Sequence, residues 1–364
     1  MSAHNPMPRT AWIFPALAML LFAAVSATDY VFTLSLGGLV FAIVLLVILF
    51  GTVFAAVHHA EVIAERVGEP YGTLVLTLSV TIIEVALITT IMLGDKPAPA
   101  LARDTVFAVV MIVCNGLVGL CIFIGGLRYR EQGFQLSGAN VYLSVLFALA
   151  TITLIMPNYT TTTPGPVYSA VQLGFVDVVT LALYGVFLYT QTVLHKDYFV
   201  HERAGGSGEA HLSGRTLVLS VVLLLIALLA VVLLSKKFSL VVDAVAVKIG
   251  VPPAFTGLLV ALLILMPEGV AAVSAARKND LQKSINLALG SSLATIGLTI
   301  PAVGVATYAL DKELELGLSA QGSVLMLLTF FLSMLTFGTG RTNVLFGLVH
   351  MVVFAVYVFM VFVP

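Results

Sequence analysis

Long apolar stretches constrain the fold of this chain more than any other feature. A helix needs about 20 apolar residues to cross the hydrocarbon core of a bilayer. Eleven stretches of roughly that length follow one another: 12–28, 31–57, 71–93, 104–127, 140–157, 167–190, 215–235, 254–275, 284–309, 319–338 and 343–363. The alternation of apolar and polar residues that typifies a membrane β-barrel is missing. We therefore predict an all-α polytopic membrane protein with about eleven transmembrane helices.

Composition excludes several classes of protein. Of the 364 residues, 60% are hydrophobic and 10% are charged, whereas soluble domains carry about 25% charged residues. The net charge of −1 leaves no excess of Lys and Arg to neutralise phosphates, so nucleic acid is not an expected partner. Cys114 and Cys121 lie on one apolar stretch, about 10 Å apart if it is helical, which is too far for a disulfide.

The spans group into one N-terminal helix and two sets of five. Residues 1–30 hold the first helix, 31–190 the first set and 215–364 the second, and the polar segment 191–214 links the two sets. Five-helix sets joined on one side of the membrane have opposite orientations, which is the arrangement of inverted-repeat transporters.

The first span also resembles a signal-peptide core with a cleavage site at Val25-Ser26-Ala27. We favour a retained helix, because the next span follows almost at once.

Basic residues predict the orientation. Eleven Lys and Arg residues fall on the N-terminal side: Arg9, Arg66, Arg128, Arg130, Lys196, Arg203, Arg215, Arg277, Lys278, Lys283 and Arg341. Six fall on the other side: Lys96, Arg103, Lys236, Lys237, Lys248 and Lys312. Because cytoplasmic loops carry the excess of positive charge, we predict a cytoplasmic N-terminus and a periplasmic C-terminus in a bacterial inner membrane.

Acidic residues deep within spans are rare, and insertion scales assign each a cost of about 2.5–3.5 kcal/mol. The candidates here are Glu84, Asp177 and Glu268. Glu84 and Glu268 fall near the middle of the second helix of each set, and an inverted repeat would bring these helices together at the membrane midplane. The alternative for each glutamate is a protonated, hydrogen-bonded structural carboxyl. Their matching positions favour a functional pair.

Oxygen-bearing groups surround the two glutamates. Thr73, Thr77 and Thr81 share a helical face with Glu84, although threonine hydroxyls often bond back to the preceding turn. Pro267 precedes Glu268 and offers no N–H to the helical carbonyl four residues earlier. Two carboxylates with hydroxyl and carbonyl oxygens suit a hard cation such as Ca²⁺. Without the metal both carboxylates cannot stay ionised, so protons and metal compete for one site.

The motifs around these residues resemble a known family. Gly68-Glu69-Pro70-Tyr71-Gly72 ahead of Glu84 is similar to the first repeat of the Ca²⁺/H⁺ exchangers, the proton-coupled branch of the calcium/cation antiporter superfamily. The segment 255–301 resembles the second repeat. The resemblance covers spans two to eleven and is strongest to the bacterial subgroup that exchanges calcium, sodium and potassium for protons. It implies that Glu84 and Glu268 bind the ion, with oxygens from Asn115 and from Ser291 or Ser292.

One departure from this family bears on ion selectivity. Plant and fungal exchangers usually carry Gly-Asn three to four positions before each glutamate. Here those positions hold Val80-Thr81 and Ile264-Leu265, so two amide ligands are missing and only Thr81 replaces one of them. A thinner oxygen shell leaves room for sodium or potassium.

Four other residues are candidates for a proton path or for regulation. Asp177 lies one-third into its span, either on a proton path or near the outer interface, and His350 lies inside the last span. Imidazole titrates near neutral pH, but a packing role for His350 is the simpler interpretation. His59 lies beside a stretch of acidic residues after the second span, which we interpret as a solvated connecting helix. Glu69 precedes the third helix, whose positive end a carboxylate would complement.

The sequence therefore predicts a secondary antiporter that exports Ca²⁺, and also Na⁺ or K⁺, in exchange for protons. The alternative is a passive cation channel with an acidic constriction. An intramembrane enzyme is disfavoured, because the spans hold no nucleophile–base pair, metal triad or phosphate-binding Gly-rich loop. We expect no resident cofactor, since the cations are cargo. Nothing in the sequence indicates an oligomer.

Overall fold

The computed structural model describes residues 8–28, 32–68, 71–93, 98–199 and 214–363. Within them, eleven helices are long and apolar enough to cross a membrane, which confirms the predicted all-α polytopic fold and the number of spans. The chain forms two compact units, one of residues 1–96 with 207–250 and the other of residues 97–206 with 251–364. Glu69 lies outside the described residues.

The first unit is built from four helices: α1 (Thr10–Ala27), α2 (Leu36–Val67), α3 (Tyr71–Met92) and α8 (Gly214–Ile249). Helix α2 packs along α8, and both α1 and α3 contact this pair. The core between them holds small and aliphatic side chains, among them Leu45, Leu49, Ala56 and Leu234. The other three helices support α3, the helix that carries Glu84.

Helices α2 and α8 extend well beyond the apolar stretches that predicted them. Helix α2 has 32 residues and α8 has 36, whereas the predicted spans were 31–57 and 215–235. The charged residues that follow each span do not break a helix. Both helices end only where a glycine adopts a left-handed backbone, Gly68 with φ 74° and Gly250 with φ 73°, which is a conformation that glycine adopts at little cost.

The second unit contains the other helices: α4 (Leu101–Met111), α5 (Val118–Tyr129), α6 (Leu136–Ala150), α7 (Ala170–Tyr189), α9 (Ala254–Arg277), α10 (Leu281–Ala294), α11 (Ile300–Ala309), α12 (Ala320–Phe337) and α13 (Val344–Phe362). Helix α9 packs against α4, α5 and α10, and α5 packs against α13. A π-helical segment, Ile112–Leu117, joins α4 to α5 in one continuous span, and Thr295–Thr299 joins α10 to α11 in the same way. Two further π-helical segments, Thr151–Ile155 and Thr190–Leu194, extend α6 and α7.

The sequence pattern does not predict two short strands that the second unit contains. Strand β1 (Glu131–Gly133) pairs antiparallel with β2 (Arg341–Asn343), with Gln132 opposite Thr342. The side chain of Gln132 is buried and donates hydrogen bonds to the Ala276 carbonyl and to Asn279 Oδ1. The strands thereby join the end of α5 to the start of α13 and to the turn after α9. Three-residue strands carry too little periodicity to be recognised in a sequence.

Only the start of the linker 191–214 belongs to the described residues. The π-helical segment Thr190–Leu194 continues α7, and a short 3-10 helix follows at Lys196–Tyr198. Residues 200–213, with the acidic and histidine residues among them, lie outside the part of the chain that the structure describes.

Candidate functional site

Glu84 lies on the buried side of α3 in the first unit. It is 1% exposed, and Thr81, one turn earlier, is also buried, while Thr77 is partly buried. The three residues share one helical face, as the sequence predicts. The side chain of Thr73 lies outside the described part of α3. An ionisable side chain so far inside an apolar helix is costly and is a functional-site candidate by default.

Glu268 lies near the middle of α9 in the second unit. Its side chain is partly buried, and its Oε2 atom is fully shielded from solvent. Helix α9 runs without interruption through Pro267, over 24 residues. The proline removes one helical donor but does not break the helix in two. The residue after Glu268 is Gly269, and a Cβ at that position would lie 3.8 Å from Leu117 Cδ1.

The π-helical segments stand at matching positions after the two glutamates. Ile112–Leu117 begins 28 residues after Glu84, and Thr295–Thr299 begins 27 residues after Glu268. Such segments are rare and are found often at functional sites, since their i→i+5 bonding disrupts the regular helix. No sequence pattern pointed to them. Asn115, predicted by resemblance as a ligand, lies inside the first segment.

Ser291 and Ser292 lie in the last turn of α10, just before the second π-helical segment. Ser292 is fully buried, and among the described residues its hydroxyl has no hydrogen-bond partner. Ser291 is partly exposed. The backbone N–H of Thr295 donates to the carbonyls of both serines. Of the two serines, Ser292 thus has the hydroxyl that is buried and available to a ligand.

Asn115 belongs to a chain of buried hydrogen bonds. Its Nδ2 atom donates to Thr329 Oγ1 at 2.8 Å, and its Oδ1 atom lies 3.0 Å from Nδ1 of His350. The Nε2 atom of His350 lies 2.9 Å from Thr336 Oγ1. A neutral imidazole with its proton on Nδ1 satisfies every member, because it donates to Asn115 and accepts from Thr336. Both ring nitrogens of His350 are therefore engaged in hydrogen bonds to side chains of other helical segments.

His59 has a structural partner in the first unit. Its Nε2 atom lies 2.9 Å from the Ala11 carbonyl of α1. That carbonyl is the one left without a helical donor by Pro15, which lacks an N–H. The imidazole is fully buried and compensates for the proline by holding α1 against α2. The expected solvated connecting helix is wrong for this residue, although Glu65 and Arg66 nearby are exposed.

Asp177 is buried as well. It lies on α7 and is 7% exposed, with its carboxylate against Gly304 of α11. In the described part of the chain, no group of three or more His, Cys, Asp or Glu residues could hold a metal ion.

The eleven long apolar helices of the described residues define a polytopic membrane fold. The family described as Sodium/calcium exchanger protein matches residues 36–193 and 219–363, and the chain belongs to this family.

Two curated relatives and one solved structure extend the comparison. The y4hA protein of Sinorhizobium fredii is 44% identical over all of this chain and 98% of its own length. The sodium-potassium/proton antiporter ChaA of Escherichia coli is 40% identical over 84% of each chain. A crystal structure of the Ca²⁺/H⁺ antiporter YfkE matches with a TM-score of 0.73 at 17% identity, over 98% of this chain and all of the other. The chain thus belongs to a family of cation antiporters and shares the fold of the YfkE structure.

Proposed function

We propose that this protein exports Ca²⁺, and also Na⁺ or K⁺, in exchange for protons that move inward. The observation that carries the proposal is the pair Glu84 and Glu268, the acidic residues at matching depth in the second helix of each predicted repeat. Family membership supports antiport, and the intramembrane position of both carboxylates supports their role in it.

The chemistry follows from competition between protons and cations. A bound cation is neutralised by ionised carboxylates, whereas an empty site favours protonated ones because burial in an apolar environment disfavours the charged form. Each carboxylate thus binds a cation on one side of the membrane and protons on the other as access alternates. Thr81, Asn115 and Ser292, with Ser291 as the less buried option, are the proposed sources of further oxygens. The ions are cargo, and no resident cofactor enters the cycle.

The preferred cation is part of the proposal. The E. coli relative is named for sodium and potassium and the YfkE structure for calcium, so the relatives cover all three ions. The missing amides at Val80-Thr81 and Ile264-Leu265 reduce the number of oxygen ligands. Because Ca²⁺ takes six to eight oxygens, we expect a site that accepts Ca²⁺ without excluding the monovalent cations.

We place the protein in the bacterial inner membrane, with its N-terminus in the cytoplasm and its C-terminus in the periplasm. Two observations support this proposal: the relatives compared are bacterial, and Lys and Arg residues favour the N-terminal side by eleven to six. The inward proton gradient across that membrane would drive the cation outward through the coupled exchange.

Exchange in inverted membrane vesicles tests the proposal. Vesicles that hold a proton gradient and a pH-sensitive dye should lose the gradient when Ca²⁺ or Na⁺ is added, and Glu84→Gln or Glu268→Gln should abolish this response. Glu131→Gln makes the same chemical change on an exposed residue of β1 and should leave exchange intact.

Two outcomes would contradict the proposal. Undiminished exchange in both glutamate variants would remove the carboxylates from the mechanism. Cation flux that carries current without moving protons would identify a channel instead. Under the proposal, the apparent affinity for each cation rises between pH 7 and 9, because fewer protons then compete for the carboxylates.

A further inference from the structure

Asp177 lies on the one buried stripe of a helix that otherwise faces lipid. The buried residues of α7 are Val176, Asp177, Thr180, Tyr184 and Phe187, which recur at helical spacing. The opposite face is exposed, with Val171, Phe175 and Val178 each more than half accessible. The carboxyl of Asp177 therefore points into the protein and away from the acyl chains.

Two glycines on the facing span make close contacts with this buried stripe of α7. A Cβ on Gly304 of α11 would lie 2.7 Å from Asp177 Oδ2. A Cβ on Gly297, in the π-helical segment before α11, would lie 2.6 Å from Cγ of Tyr184. The glycines are seven residues apart, as are Asp177 and Tyr184, so the helices run antiparallel in close contact. Any larger residue at position 304 would displace the carboxyl group.

Polar atoms around the carboxyl group do not satisfy it. Asp177 Oδ1 and Thr180 Oγ1 are both buried, and neither has a hydrogen-bond partner among the residues that the structure describes. The hydroxyl of Thr307 on α11 is occupied by the carbonyls of Val303 and Gly304. An ionised carboxylate here would be a buried charge with no donor to stabilise it, which is costly.

The described elements that pack most extensively on α7 carry no compensating charge. They are α6, α11 and the π-helical segments Thr190–Leu194 and Thr295–Thr299, and none of them contains a Lys, Arg, His, Asp or Glu residue. Their titratable groups are tyrosines: Tyr142, which accepts a hydrogen bond from Gln191, and Tyr308, which is exposed. Tyr184 lies on α7 itself. Asp177 is thus neutralised by a bound ion or by a proton.

We propose that Asp177 is a second proton-binding site that takes up and releases one proton in each exchange cycle. Its carboxyl group packs against Gly304, and Thr180 lies one turn further along α7. The inference rests on the proposed function. Protonation converts the carboxylate to a neutral carboxyl group and so removes a buried charge that no donor stabilises. A proton fits better than a metal, because one carboxylate and one hydroxyl fall far short of the oxygens that Ca²⁺ requires.

Infrared spectroscopy of the purified protein tests the proton directly. Protein labelled with ¹³C-aspartate should show the C=O band of a protonated aspartic acid at neutral pH, distinct from the bands of glutamic acids. Asp177→Asn should remove that band. Asp104→Asn is the matched control, because Asp104 is partly buried but forms an ion pair with Arg103 at 2.9 Å. Gly304→Ala should shift the band, since the new Cβ crowds Oδ2, and this variant keeps the test open if Asp177→Asn does not fold.

Transport stoichiometry tests the role of the proton in the cycle. In proteoliposomes, Asp177→Asn should continue to exchange cations but should move one proton fewer per cation than the wild type. A protonated-aspartate band that survives Asp177→Asn overturns the site. A band that disappears while the proton count stays unchanged overturns its role in transport.

Failure of this inference is distinguishable from failure of the proposed function. The Asp177 band should persist in the Glu84→Gln and Glu268→Gln variants, because it does not depend on those carboxylates. Loss of exchange in the glutamate variants with no aspartate band in the wild type would refute the second site alone. Intact exchange in the glutamate variants would refute the proposed function.

Discussion

Buried hydrogen bonds around His350 show how single residues stabilise this bundle. Every polar atom in the series Thr336, His350, Asn115 and Thr329 has a partner, and the series ends at the Leu325 carbonyl, which accepts from Thr329 at 2.7 Å. Removal of one member leaves its neighbours unsatisfied in an apolar interior, and this costs more than the hydrogen bond itself contributes.

A double-mutant cycle measures the interaction free energy between His350 and Asn115. We expect His350→Phe and Asn115→Leu each to lower the unfolding free energy in detergent, and the double variant to lose less than the sum. Hydrogen bonds inside membrane proteins couple by about 0.6 kcal/mol on average and at most about 1.7 kcal/mol. A coupling indistinguishable from zero would mean that the 3.0 Å contact between His350 Nδ1 and Asn115 Oδ1 contributes nothing.

At the residue scale, the sequence predicts the carboxylates but not their neighbours. Glu84 and Glu268 stand out because charge is so rare in apolar spans. The partners of Asn115 lie 214 and 235 residues away, and no local pattern connects them. The ligand role of Asn115 stays a prediction, and the structure shows its carboxamide engaged on both sides. The same limit applies to Asp177, whose fit against Gly304 depends on the packing of two distant helices.

Among the elements, α5 and α13 make a close crossing that depends on glycine. A Cβ on Gly347 would lie 2.6 Å from the backbone nitrogen of Phe123, and one on Gly119 would lie 2.9 Å from Cβ of His350. Small residues let membrane helices approach closely, and the dispersion attraction between closely packed helices is a main source of their stability. The crossing also positions His350 beside the first π-helical segment.

Gly347→Ala tests the crossing. The added methyl group forces α5 and α13 apart, and overpacking of this kind costs about 1–3 kcal/mol, so we expect a lower melting temperature in detergent. Gly174→Ala and Gly185→Ala are matched controls on α7, because a Cβ at either position meets nothing within 4 Å. These controls should melt at or above the wild-type temperature, since alanine favours a helix over glycine. Equal melting of Gly347→Ala and the controls would contradict the close contact.

Apolar length predicts the number of helices well and their ends poorly. Hydropathy detects the part of a helix that lies in lipid, whereas α2 and α8 continue into polar sequence until a glycine stops them. The π-helical segments and the β1–β2 pair were missed because they depend on backbone hydrogen bonds that side-chain patterns do not encode. The matching offsets of Ile112–Leu117 and Thr295–Thr299 fit the predicted repeat, which stays a prediction.

For the whole molecule, the distribution of Lys and Arg residues predicts the orientation of the chain in the membrane. Fusion of alkaline phosphatase after residue 364 should give active enzyme, because the proposed C-terminus is periplasmic. A green fluorescent protein at the same position should stay dark, and one inserted in the linker 191–214 should fluoresce. The physical basis is the excess of Lys and Arg on one side. A fluorescent C-terminal fusion with an inactive phosphatase fusion would contradict the proposed topology.

The length of α2 and α8 has a mechanical consequence. Helices of 32 and 36 residues are about 48 and 54 Å long, whereas the hydrocarbon core is about 30 Å thick. Each helix therefore has a rigid end that projects into water or tilts strongly in the bilayer. Such an end amplifies small movements of the helix. A change in tilt of about 10° within the membrane displaces a helix tip that lies about 20 Å outside the bilayer by about 3–4 Å. Spin labels placed near Arg66 and Lys248 would convert small helix rotations during exchange into measurable changes of distance.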